Sequence, residues 1–255
     1  MITFQKKGML TTVQDLGRIG YQRYGMPVCG AMDRYAMELA NILVNNPRSE
    51  AVIEATVMGP TIVFDEPEIF AITGGDFGPT LNGDPIENDR AYLAQAGDTL
   101  VLPMAKSGAR AYIAFAGGLD IEEVMGSRST FLKGGVGGLD GRPIRDGDGI
   151  GLRAPCDWLP DLEERYVPEK LRPALRDHIE VRFTYGPQDD LFSAREEDLY
   201  KKRLRPQRQE RPHGLSDGRP RGGAGRRERR EHHLRRHLLR RHPDHQRPAH
   251  RHDGG

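Results

Sequence analysis

From Lys201 to Gly255 the chain contains no Val, Ile, Met, Phe, Tyr, Trp or Cys, and this absence limits its folding more than any other feature. Five Leu and two Ala stand there among 18 Lys and Arg, 6 Asp and Glu, and eight of the nine His. Such a segment cannot bury enough apolar surface to offset the conformational entropy lost on folding. The first 200 residues are a different polymer. They hold 20 basic against 31 acidic groups, a balance of −11 that the +12 of the tail conceals within a total of +1.

The body is long enough for one sizeable domain or two small ones. Two cysteines, Cys29 and Cys156, cannot build a disulfide framework, so a reducing compartment is the expectation. No run approaches the roughly 20 apolar residues that span a bilayer, and no apolar stretch follows the start as a secretory signal would require. A cytoplasmic protein is expected.

Within the body, β-rich runs alternate with glycine turns. Ile62–Phe64, Ile69–Thr73, Ala91–Ala94, Thr99–Leu102 and Ala111–Ala116 read as strands, and Asn82-Gly83 is a strong hairpin signal. One helix interrupts them. Ala36, Leu39, Ala40 and Leu43 fall at i, i+3, i+4 and i+7, Asp33 stands at the N-cap position, and Asn45-Asn46-Pro47 supplies a stop. A weaker helical pattern covers 160–176, and Ile179–Tyr185 alternates like a strand with one wet face.

Three clusters carry possible chemistry. In the block Gly8–Asp33, polar and glycine positions dominate and few side chains suit a core. Gln14, Asp15 and Arg18 there are spaced to converge on a small polar ligand, the guanidinium suiting a carboxylate or phosphate. The plainer alternative is a loop whose Asp15 and Arg18 neutralise each other, with Asp33 as a cap. Ile72–Gly78 follows a strand, and Gly74 and Gly75 would let backbone amides approach an oxyanion. The alternative is a tight turn in which Thr73 and Asp76 bond their own backbone. Gly126–Gly138 is glycine-rich but lacks the Gly-Lys-Ser/Thr ending of an ATP loop, and no helix pattern follows. Ser127, Arg128 and Ser129 can still hold an anion. Cys29 reads as a small buried residue rather than a nucleophile. The body shows no metal-ligand spacing, and the His-rich tail reads as a weak, adventitious metal sink.

Taken together, Thr12-Val-Gln-Asp-Leu-Gly-Arg-Ile-Gly-Tyr21 and Gly25-Met-Pro-Val-Cys-Gly-Ala-Met-Asp33 resemble the opening signature of the biotin-dependent carboxyltransferase-like family. That family includes KipA proteins, allophanate-hydrolase-type second subunits and the C-subunit of bacterial 5-oxoprolinase. The resemblance continues through Ile72–Phe77, Ala111–Gly118, Gly126–Phe131, Gly141–Ile144 and Gly186–Phe192, in order, over roughly the first 200 residues. It implies a mainly β fold with a few helices and a cyclophilin-like barrel. Residues 1–178 would form the family's N-terminal β-rich region and 179–200 the start of a second one.

The same resemblance implies ATP-dependent opening of 5-oxoproline to glutamate, together with KipI-like and LamB/YcsF-like partner subunits. KipA-type binding of a kinase inhibitor and a urea-carboxylase-like carboxyl transfer are the alternatives. ATP is expected at the level of the complex, and neither biotin nor a metal is expected here. The shared positions are Gln14, Asp15, Arg18, Asp33 and Asp76 as catalytic candidates, with Thr73, Gly74, Gly75, Ser127 and Arg128 as substrate- or anion-binding ones.

The tail departs from that pattern in an interpretable way. Glu210–Ser216 can be encoded so that reading one nucleotide later gives Ser-Asp-Arg-Met-Gly-Tyr-Arg, a segment the family would place after Phe192. His232–His245, in the same shifted frame, can give Ser-Asp-Gly-Ile followed by Phe-Gly-Ala-Ile-Gln. A frameshift near 201–203 therefore accounts for 201–255 as a disordered Arg/His-rich segment replacing the family's second half. The rival is a genuine basic arm that binds polyanions.

Overall fold

The computed structural model of the protein describes residues 1–154, 162 and 164–172. Cys156, the strand expected at 179–185, the block 186–192 and the tail from 201 lie outside the described residues.

Eleven strands and one α-helix occupy the described part. In order they are β1 (Ile2–Lys6), β2 (Leu10–Gln14), α1 (Arg34–Leu43), β3 (Val52–Thr56), β4 (Thr61–Phe64) and β5 (Glu68–Asp76). There follow β6 (Thr80–Leu81), β7 (Asp84–Pro85), β8 (Arg90–Ala94), β9 (Thr99–Val101), β10 (Ser107–Phe115) and β11 (Gly149–Ile150). All pairings are antiparallel, in two sheets ordered β11-β1-β4-β9-β6-β7 and β2-β3-β10-β5-β8.

Side chains alternate across a strand, so each strand of the second sheet has to satisfy two faces. Ile53, Phe70, Ile72, Ile113 and Phe115 join Ile2, Phe4, Ile62, Phe64 and Leu100 of the first sheet in the apolar centre. Their intervening neighbours Val52, Ile69, Ala71, Tyr112 and Ala114 pack against Ala36, Met37, Ala40 and Leu43 of α1. Alanines under the helix keep that layer thin. The two faces together make these strands almost continuously buried, which is why the runs read as strands without clean alternation.

α1 forms where its apolar period and cap place it. Asp33 Oδ1 accepts from the Ala36 amide at 3.0 Å, satisfying one of the orphan donors of the first turn. Asn82 and Gly83 join β6 to β7 with φ of 54° and 91°, both left-handed, as a two-residue hairpin turn requires.

Two expectations need correction. Gly8–Asp33 is not poor in core: it contributes β2, in which Thr11, Thr12, Val13 and Gln14 are buried, and β2 pairs along its whole length with β3. Across 160–176, the described residues hold a short 3₁₀ turn at Glu169–Leu171 and an extended piece in which Tyr166 bridges Arg90 and the Val167 amide bonds Asp89 O at 2.8 Å. No α-helix occurs among them there. Leu162 and Val167 bury their apolar side chains with the α1 layer instead. No helix among the described residues is long and apolar enough to cross a membrane.

Candidate functional site

β2 ends at Gln14, and the chain leaving it turns under Ser127–Thr130, more than a hundred residues later in sequence. The Val13 carbonyl ties the two segments by accepting from both the Thr130 amide and the Thr130 hydroxyl, each at 2.9 Å. Gln14, Asp15, Arg18, Ser127 and Arg128 are thereby brought together, and Ser129 and Thr130 join them.

Asp15 is the hub. Its Oδ1 accepts from the Gly17 amide at 2.7 Å, the Ser127 hydroxyl at 2.7 Å and the Ser129 hydroxyl at 2.5 Å, and its Oδ2 accepts from the Arg128 amide at 2.6 Å. A buried carboxylate needs such donors to offset its desolvation. The expected alternative, Asp15 neutralised by Arg18, is not what the structure contains: none of these four donors belongs to Arg18.

Arg18 is fully buried. Its Nε donates to Val124 O at 3.1 Å and its Nη2 to Ser129 O at 2.5 Å, so carbonyls rather than a carboxylate hold the charge. Nη1 has no hydrogen-bond partner among the described residues. Gln14 complements it. Its Nε2 donates to Thr12 Oγ1 at 3.1 Å and to Thr130 O at 3.3 Å, leaving a buried Oε1 likewise without a partner. Gln14 and Arg18 thus grip the consecutive carbonyls of Thr130 and Ser129 and leave one free acceptor and one free donor. Buried polar groups are nearly always paired, so each of these two atoms is an exception among the residues gathered here.

The glycine loop closes over this arrangement. A Cβ at Gly137 would collide with Arg18 Nη2 and with Ser129 O, so only glycine lets the backbone lie against the guanidinium. Gly137 and Thr130 are not among the residues that the sequence marks as candidates. The one signal for Gly137 is the doubled pair Gly134-Gly135 and Gly137-Gly138, which also fits a phosphate loop and so does not point to a guanidinium. Cys29 also belongs here. Its free thiol is half-buried beside Arg18, and burial pushes it above the usual thiol range, with the Arg18 charge partly opposing.

The Arg128 side chain is used structurally, with Nε on Ile121 O at 2.7 Å and Nη1 near Glu123 at 2.9 Å and Glu50 at 3.6 Å. Glu50 also pairs with Arg153 and accepts from the Ala51 amide at 2.9 Å.

The other candidates gather around α1 and β5. Asp33 caps the helix, and its amide donates to Tyr112 Oη at 2.8 Å. Tyr112 in turn donates to Glu54 Oε2 at 2.9 Å, and that carboxylate also takes the Met32 amide at 2.9 Å. Burial, then the Glu54 charge, drives the Tyr112 phenol far above its usual range. Thr73 donates to Ala36 O at 2.6 Å, tying β5 to α1 rather than closing a turn on itself. A Cβ at Gly74 would stand 2.7 Å from Arg110 O, so that glycine permits the close approach of β10. Gly75 O accepts from Asn88 Nδ2 at 2.8 Å. Asp76 Oδ1 accepts from the Gly78 amide at 2.7 Å in an exposed turn. Among the described residues no group of His, Cys, Asp and Glu is placed to hold a metal ion.

Residues 24–210 match the carboxyltransferase domain, subdomain A and B. The chain is 41% identical over 188 residues to urea amidolyase of Lachancea kluyveri, covering 71% of this chain and 10% of that protein. It is 40% identical over 148 residues to the 5-oxoprolinase C-subunit of Escherichia coli (strain K12), covering 58% of this chain and 48% of that protein. The crystal structure of Kluyveromyces lactis urea carboxylase superposes with a TM-score of 0.76 at 32% identity, over 86% of this chain and 20% of that one. The chain therefore spans about half the length of the bacterial relative and a much smaller share of the fungal proteins. With most of its length matched, and with the fold agreeing, this chain belongs to the carboxyltransferase-domain family defined by subdomains A and B.

Proposed function

We propose that the chain is the C-subunit of a 5-oxoprolinase-type complex, in which it helps open the lactam of 5-oxoproline to glutamate. The observation that carries this reading is the unpaired couple of Arg18 Nη1 and Gln14 Oε1. A lactam presents a carbonyl oxygen and an N–H, which match in kind the free donor on Arg18 and the free acceptor on Gln14. The Arg18 N–H would bond the carbonyl oxygen and stabilise the negative charge that develops on it during attack. Gln14 would receive the lactam N–H and fix the ring's orientation. Asp15 would act by positioning, since its carboxylate fixes Ser127, Ser129 and the turn that carries Arg18.

In this reading ATP is consumed by the complex, the partners are KipI-like and LamB/YcsF-like proteins, and the setting is cytoplasmic. The 40% identity to the Escherichia coli protein supports it. Residues 201–255 are then an out-of-frame segment, and activity belongs to the frame-corrected chain. Mixing that chain with both partners, ATP and 5-oxoproline is expected to release glutamate. Absence of ATP-dependent glutamate would reject the reading.

A second reading is favoured by the 41% identity to Lachancea kluyveri urea amidolyase: carboxyl transfer to urea, another planar amide that the same couple would accept. Carboxylation of urea in place of glutamate release would select it.

A further inference from the structure

Asn82-Gly83 is the one Asn-Gly pair in the chain, and it forms the exposed turn between β6 and β7. Asn82 also fastens that hairpin to β9. Its amide donates to Thr99 O at 2.9 Å, its Oδ1 accepts from the Thr99 amide at 2.8 Å, and its Nδ2 donates to Asp98 Oδ1 at 2.6 Å. Asp98 is held in turn: its Oδ2 accepts from the Gln95 amide at 2.7 Å and its carbonyl from the Phe64 amide at 3.0 Å. Next to these bonds β6 pairs with β9 through Thr80 and Leu81, and Leu81 and Ile86 pack against the apolar centre. The space around Gly83 is open, with no other part of the protein within 4 Å of where a Cβ would stand. Packing therefore does not restrain the Asn82–Gly83 bond, whereas the side-chain bonds of Asn82 do.

We propose that Asn82 is a modification site at which the chain deamidates itself, and that the charge so created releases the hairpin from β9. The reaction needs no partner but water. The Gly83 amide nitrogen attacks Asn82 Cγ, a carbon–nitrogen bond forms and a cyclic imide closes. The carboxamide nitrogen leaves as ammonia, taking the proton that the Gly83 amide gives up. Water then opens the imide at either carbonyl, leaving aspartate or, with the backbone routed through the side chain, isoaspartate. In the folded hairpin the carboxamide has to leave Asp98 and Thr99 before the ring can close, so those bonds hold the reaction back. The product turns the same contact against the fold. Where Nδ2 donated to Asp98, a carboxylate oxygen now faces Asp98 Oδ1, and two carboxylates so close cannot both stay ionised and in place. Isoaspartate lengthens the turn and carries it off Thr99. Either product loosens β6 and β7 and bares Leu81 and Ile86.

The test incubates the full chain in mildly alkaline buffer, native and in urea, and follows Asn82 by peptide mass and isoaspartate content. Native protein is expected to deamidate there about tenfold more slowly than unfolded protein, as two hydrogen bonds of ordinary net strength would give. Asp98→Ala is expected to raise the native rate severalfold and to leave the unfolded rate unchanged. Equal native and unfolded rates, or a native rate that Asp98→Ala does not raise, would overturn the gating by β9. Amide hydrogen exchange reads the consequence. Asn82→Asp is expected to quicken exchange of the Thr99 amide about tenfold, an effect that salt weakens because the contact is exposed. Adding Asp98→Asn returns a donor to the pair from the opposite side and is expected to restore the protection. Unchanged exchange in Asn82→Asp, or no rescue by the second substitution, would overturn the release. The rate comparison uses the unsubstituted chain, so it decides even where a variant fails to fold. None of these readouts draws on the lactam reading.

Discussion

Asp15 and Arg18 stand three residues apart, and the sequence presents them as a possible neutralising pair. The structure separates them, giving the carboxylate four donors and the guanidinium two carbonyls, with most partners drawn from 124–130. The cluster is legible because polar residues crowd one short block; its partners are not, because no local spacing encodes contacts across more than a hundred residues. Replacing Asp15 by Ala strands Ser127, Ser129 and two amides, and is expected to cost about 3 kcal/mol or more in urea unfolding, since each lost donor is left buried. Gly137→Ala forces a methyl group into the guanidinium and is expected to destabilise by about 1–3 kcal/mol in the same measurement. Glu68 offers a residue-scale test by pH. Burial lifts its carboxyl to about 8, opposed by the Ile69 amide bond. The folded state therefore binds a proton that the unfolded state has released, so stability falls as pH rises from the ordinary carboxyl range through about 8. Glu68→Gln is expected to flatten that slope in thermal melts at a series of pH values, and an unchanged slope would refute the assignment.

At the scale of elements, the sequence is most legible where local signals agree with tertiary packing. α1 shows its apolar period, its Asp33 cap and its stop within the single stretch Asp33–Pro47, and all of them operate in the fold. The five expected strands appear because β-branched and aromatic residues cluster in them. β2 and β3 escape a reading of sequence for a physical reason: Thr11, Thr12, Gln14 and Glu54 are polar yet buried, with hydrogen bonds to Lys7 O, between Gln14 and Thr12, and from Tyr112 across the sheet to Glu54. Removing the cap with Asp33→Ala is expected to cost about 1 kcal/mol, read as a lower midpoint in urea. Ala114 of β10 packs against α1 with no exposed surface, and Ala114→Leu is expected to push the helix off the sheet at about 1–3 kcal/mol. A variant as stable as the wild type would show that the helix layer is loosely packed.

For the whole molecule, two compositions meet in one chain, and only the first has the apolar residues that a core requires. The family match, from 24 to 210, ends inside the basic segment, near the stretch that can be encoded so that a shifted frame gives the continuation the resemblance implies. Resequencing across the codons for Tyr200–Leu204 is expected to find one base gained or lost; a confirmed frame with an intact mass matching 255 residues would establish the tail as real. The most direct measurement of function is ATP-dependent release of glutamate from 5-oxoproline by the frame-corrected chain with the two partner proteins proposed for it, beside the same mixture carrying Arg18→Lys. Glutamate release that Arg18→Lys reduces by about a hundredfold, as loss of an oxyanion donor does, is the predicted result. No glutamate with the intact site, or full activity without the Arg18 guanidinium, would contradict the account.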